Sequence, residues 1–174
     1  MPFTLLHLGP ALALGVPFRS KVHAPTFIIA NLIVDIEPFI IIMLNLSLPL
    51  HWFFHSIAGA LILGAITSIA MYVLKERFSF SFIELKLEVS NYHSFKEYFV
   101  GEVLGTIIHV MLDYSLYSDI KPLYPLNYNP LYNPLISCEI NLLCIFLLIV
   151  GLIEYLLVFI KAPRTTRTLH IRSP

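Results

Sequence analysis

The chain has 174 residues and a mean hydropathy of +0.80, with 57% hydrophobic and only 13% charged residues. Soluble domains carry about a quarter charged residues, so this composition excludes an ordinary soluble fold and points to an integral membrane protein. Eleven Lys and Arg balance eleven Asp and Glu, and no basic tract offers a surface for nucleic acid.

The length leaves room for a single integral membrane domain, residues 1–174. Five segments read as membrane-embedded helices. Residues 3–18 are the shortest and contain Pro10 and Gly15. At about 1.5 Å per residue they barely cross a core of about 30 Å, so a half-embedded helix is the alternative. No Lys or Arg precedes Arg19, so the start lacks the basic region of a secretory signal. Residues 25–44 form the second segment, with Pro25 suited to a helix start. Asn31, Asp35, Glu37 and Pro38 interrupt its middle. Residues 51–74 form the third, closed by Lys75, Glu76 and Arg77. Residues 78–96 read as a mixed interfacial loop, and residues 98–117 as the fourth segment. The prolines and asparagines of residues 121–134 exclude a helix, while their tyrosines suit a membrane interface. Residues 136–160 form the fifth segment, followed by a basic tail, 161–174. Cys138 and Cys144 fit no metal or redox pattern.

Basic residues follow the first, third and fifth segments. The positive-inside rule therefore predicts an all-α polytopic bundle of about five transmembrane helices in the cytoplasmic membrane, N-terminus out and C-terminus in.

That topology gathers polar residues at the outer end. His51 and His55 are four apart, on one face of a predicted helix, at a spacing that lets two imidazoles share a metal ion. Taken alone, such a pair is more often interfacial than ligating. His109 and Asp113 repeat the spacing at the outer end of the fourth segment, and His7 lies near the outer end of the first. Asp35 and Glu37 fall at mid-depth or slightly outside it. Two apart on a regular helix they would diverge, but Pro38 disfavours helical geometry at Glu37, and a break there turns both towards one pocket. Asn31, four before Asp35, is placed to orient it. Intramembrane acids and imidazoles are costly unless paired, solvated or bound to a cation. The predicted metal ligands are thus His7, Asp35, His51, His55, His109 and Asp113. Asp35 and Glu37 are the predicted catalytic carboxylates, able to take a proton from the attacking water. Mixed His and carboxylate donors suit zinc, or manganese, better than magnesium or calcium. Glu102 reads as interfacial or structural, Asp119 as a cap that orders the following loop, and His23, His93 and His170 as lying outside the site.

Several of these residues also carry a family likeness. Thr4 with His7, Asp35-Ile36-Glu37, the run from His51 to Ser56, and Gly105 through His109 to Asp113 together resemble the YdjM-like membrane-bound metal-dependent hydrolases. The resemblance covers about residues 1–135. Val34 stands in place of the family proline, Glu37 in place of an aspartate, and Trp52 and Phe54 in place of an Arg and a Thr. The resemblance implies a metal-dependent hydrolase. A membrane lipid or lipid-linked ester or phosphoester is the natural substrate at this depth. Three rivals remain open: a cation or proton transporter or channel using the same residues, a haem-binding electron carrier, and a non-catalytic structural protein. The adjacent carboxylates disfavour haem.

Overall fold

The computed structural model describes residues 5–88 and 94–161, with the side chains of 5 and 78–80 outside the description. Every regular element among the described residues is helical. A short 3-10 turn, Leu5–His7, leads into α1 (Leu8–Gly15). Then come α2 (Ala24–Ile33), α3 (Ile36–Met43), α4 (Ile57–Val73), α5 (Lys75–Glu84) and α6 (Phe95–Asp113). A second 3-10 turn, Pro134–Ile136, precedes α7 (Ser137–Lys161).

The helix starts follow local chemistry. The His23 ring accepts the Thr26 amide, and Pro25 occupies the first turn of α2, where no hydrogen-bond donor is needed. The Ser56 hydroxyl accepts the Gly59 amide at 2.9 Å and starts α4. Ser94 and Glu97 form a reciprocal capping box at the head of α6.

Among the described residues, two helices are long and apolar enough to cross a membrane: Ala24–Met43, which runs through α2 and α3 with mean hydropathy 2.0, and Pro134–Lys161, with 2.9. Helix α4 is apolar but shorter, and α1, with 8 residues, extends only about 12 Å. Two of the predicted five spans thus meet this test of length and apolarity among the described residues.

Three local expectations are corrected. The third segment does not become helical at His51; residues 51–56 form an irregular turn and the helix starts at Ile57. The break in the second segment falls at Val34 and Asp35, before Glu37. Pro38 then sits in the first turn of α3, where its missing N–H leaves nothing unpaired. The stretch 78–96 is not all loop, since α5 continues to Glu84.

Helix α6 is the axis of the bundle. It packs against α2 on one side and α4 on the other, while α1 packs on α7 and α2. The α2–α6 crossing depends on Gly105. A Cβ there would lie 2.5 Å from the Ala30 Cβ and 2.7 Å from the Phe27 carbonyl oxygen. Gly9 does the same between α1 and α7, against the Cys144 carbonyl. The buried apolar cluster, Val34, Ala60, Leu63, Val110, Tyr114 and Ile120, joins α2, α4, α6 and the loop after α6. It adjoins the polar residues described next, since Val34, Val110 and Tyr114 are chain neighbours of Asp35, His109 and Asp113.

Gly105→Ala should force α2 and α6 apart. We expect a loss of about 1–3 kcal/mol from overpacking, read as a lower thermal midpoint in detergent. Leu104→Ala, on the 46% exposed side of the same helix, should leave the midpoint nearly unchanged.

Candidate metal centre

Four side chains from three parts of the chain meet at the upper end of α6. Asp35 comes from the break between α2 and α3, His55 from the turn before α4, and His109 and Asp113 from successive turns of α6. One donor atom from each lies within 4.8 Å of the other three, and all four residues are buried. This group could hold a metal ion. His109 Nε2 stands 3.4 Å from Asp113 Oδ2 and 3.6 Å from Asp35 Oδ1, and His55 Nε2 stands 3.8 Å from Asp113 Oδ2.

Hydrogen bonds on the far side of each ring fix its tautomer. His55 Nδ1 donates to Glu37 Oε2 at 2.9 Å. His109 Nδ1 donates to the Asn31 backbone carbonyl at 2.8 Å. Both acceptors lack a proton to give, so each Nδ1 carries the hydrogen, and in the neutral ring it is Nε2 that presents a lone pair. Neither Nε2 has a hydrogen-bond partner among the described residues. Two bare nitrogens thus face two carboxylates, a donor set that repels itself unless a cation or proton lies between.

The remaining predicted residues surround this group. His7 Nε2 is 3.1 Å from Asp113 Oδ1, and its ring stacks on His109 with centroids 4.0 Å apart. Glu37 stands behind His55 rather than among the four. Its Oε1 accepts the Phe54 amide and its Oε2 accepts both the Trp52 amide and His55 Nδ1. This carboxylate folds the 51–56 turn and aims His55. The expected pairing of Asn31 with Asp35 is not made. Its side chain donates to the Phe27 carbonyl, and it is the Asn31 backbone that orients His109. His51 and His55 do not share a helix face; they are held by the turn with their rings edge to face, centroids 4.7 Å apart.

Asp119 was legible only as a loop-ordering residue, and it orders the loop through a specific partner. Its Oδ1 and Oδ2 accept from His51 Nδ1 at 3.0 and 3.1 Å, and Oδ2 also accepts the His51 amide at 3.1 Å. Tyr117 stacks on the other face of His51, with centroids 4.0 Å apart. The Ile57 amide, donating to the Pro122 carbonyl, ties the same two loops together. Glu102, expected at an interface or as structure, is fully buried between α6 and α4, accepting from the Thr67 hydroxyl at 2.9 Å. His23 lies away from the centre, buried with its Nε2 3.7 Å from Glu88 Oε2. His93 and His170 lie outside the described residues.

No family model, curated protein or solved structure matches the chain.

Burial works against the charge on Asp119, but the hydrogen bonds from His51 outweigh it, and the carboxyl is held below its ordinary value of 3.8. A depressed folded value stabilises the fold above the unfolded value and loses that contribution as pH falls through the folded one. Asp119→Asn should therefore lower the thermal midpoint at neutral pH, and the gap to the wild type should close in acid. Midpoints measured for both proteins across an acid pH series check this; a gap unchanged in acid would contradict it.

Proposed function

We propose that the chain is a membrane-bound metal-dependent hydrolase whose divalent cation, zinc or manganese, is held by Asp35, His55, His109 and Asp113. The observation that carries this reading is the self-repelling set of buried donors. Two imidazoles are locked with Nδ1 protonated and Nε2 turned towards two carboxylates. Outer hydrogen bonds from a carboxylate and a backbone carbonyl are the usual means of orienting ligating histidines. Mixed imidazole and carboxylate donors favour zinc or manganese. A bound divalent cation would supply Lewis acidity towards an ester or phosphoester oxygen and would acidify water.

The chain's own residues divide the rest of the work. Glu37 and the Asn31 carbonyl hold His55 and His109 in place. His7 Nε2 lies against the second oxygen of Asp113. The resemblance to the YdjM-like family supports hydrolysis as the reaction class. A lipid or lipid-linked ester or phosphoester fits the surroundings. The loops that leave the site expose Trp52, Leu123, Leu126 and Tyr128 at 38%, 51%, 62% and 68%. Such side chains favour the boundary between acyl chains and headgroups.

In the same reading the bundle has about five segments embedded in the cytoplasmic membrane, the short α1 among them, with the N-terminus out and the C-terminus in. Arg19, Lys21, Lys75 and Arg77 then lie on the inner side with the C-terminal end of α7, and the site lies towards the outer face. Helices α4 and α6, with 17 and 19 residues, would span about 25 and 28 Å.

Metal content of the detergent-purified protein tests this reading. About one equivalent of zinc or manganese is expected for a mononuclear site of this donor set. It should be lost in a His55→Ala, His109→Ala double variant that stays folded. Glu37→Gln, which keeps the shape but weakens the hold on His55, should reduce metal affinity by about 10–100-fold. No bound transition metal in the wild type, even after ions are added back, would overturn the proposal.

A further inference from the structure

His51 stands apart from the four-donor group and yet borders it. Its ring meets the His55 ring at 4.7 Å between centroids and an interplanar angle of 78°. Its other side is clasped by Asp119. Both oxygens of Asp119 receive its Nδ1, and one of them also receives its backbone amide. Tyr117 fixes the plane of the ring by stacking on it at 27°. His51 itself is 4% exposed, whereas the Asp119 side chain is 37% exposed. The pair therefore links the buried centre to the surface.

We propose that His51 is the proton shuttle of the hydrolytic reaction and that Asp119 is its positioning residue. This rests on the hydrolase reading above. A carboxylate on Nδ1 fixes the hydrogen there and leaves Nε2 as a base, and it also stabilises the imidazolium once Nε2 is protonated. The step is balanced within one residue. The oxygen of the attacking water bonds to the acyl carbon or phosphorus, and the proton it gives up passes to His51 Nε2. The scissile C–O or P–O bond then breaks, its electron pair goes to the leaving oxygen, and that oxygen takes the same proton from Nε2. An acid and an alcohol leave, and His51 is neutral again. Glu37, the other carboxylate near this turn, has both oxygens occupied by the turn's own donors.

A purely structural role for the pair makes a different prediction, because a clasp has no preference among leaving groups. The experiment uses the full chain, loaded with zinc, and matched substrate pairs. These are p-nitrophenyl and ethyl octanoate, and the p-nitrophenyl and alkyl diesters of phosphate. Nitrophenolate leaves without a proton; an alkoxide does not. His51→Gln should keep its zinc and lower kcat on the alkyl substrate by about 10²–10⁴-fold, the usual worth of a general acid–base group. The loss on the matching nitrophenyl substrate should be at least tenfold smaller. Asp119→Asn, a second variant that leaves the imidazole in place, should show the same preference with smaller losses. Equal losses on both members of a pair, unchanged rates, or zinc lost with His51 would each overturn the shuttle while the hydrolase reading stands. A zinc-loaded wild type inactive on all four substrates would overturn both.

Discussion

Asp35, His55, His109 and Asp113 bring negative charge and nitrogen lone pairs together in a place with almost no access to water. Groups of this kind are costly to bury unless something positive lies among them. Much of the surrounding structure serves to hold them there. The break at Val34 and Asp35 interrupts an otherwise continuous apolar helix so that one carboxylate turns inward. The turn before α4 exists because Glu37 collects three of its donors, and the last of these is His55. The backbone carbonyl of Asn31 reaches His109 only because Gly105 lets α2 lie close against α6.

The bundle is therefore a scaffold with two qualities of packing. Beside the centre, buried apolar side chains contributed by α4, α6 and the end of α2 pack together, among them Val34, Leu63 and Val110. At the upper end of α6 two irregular loops meet and are joined by polar contacts as well as by the packing of Phe54 and Tyr117 against the cluster that holds Ile120. Asp119 grips His51, and the Pro122 carbonyl receives the Ile57 amide. Loops held by a few hydrogen bonds open at lower cost than helices held by packing. The exposed surface on the loop side is apolar and aromatic, with Trp52, Leu123 and Tyr128 on it.

Helix α7 is joined to the rest chiefly through α1, by the close contact at Gly9. Most of its surface is exposed apolar side chain, including Leu142, Phe146, Ile153 and Ile160. That is the pattern of a helix whose solvent is hydrocarbon rather than water. It shields the α1 side of the centre, where His7 rests on Asp113 and His109.

The amino-acid sequence by itself determined that the chain is helical and strongly apolar. It also marked the acids and imidazoles that meet, because polar residues inside apolar segments are conspicuous by their cost. His109 and Asp113 were legible together because four residues on an unbroken helix make one turn. Spacing misled at His51 and His55, where the same interval falls in a turn shaped by Glu37, a residue eighteen positions from His55. Pro38 announced a break but not its place, since a proline in a first turn is compatible with the helix that follows it. Which residues lie innermost and which stand behind them was decided only by the tertiary structure. Asn31 to His109 and Asp119 to His51 are contacts across 78 and 68 positions, set by how closely the helices approach and how the loops between them close.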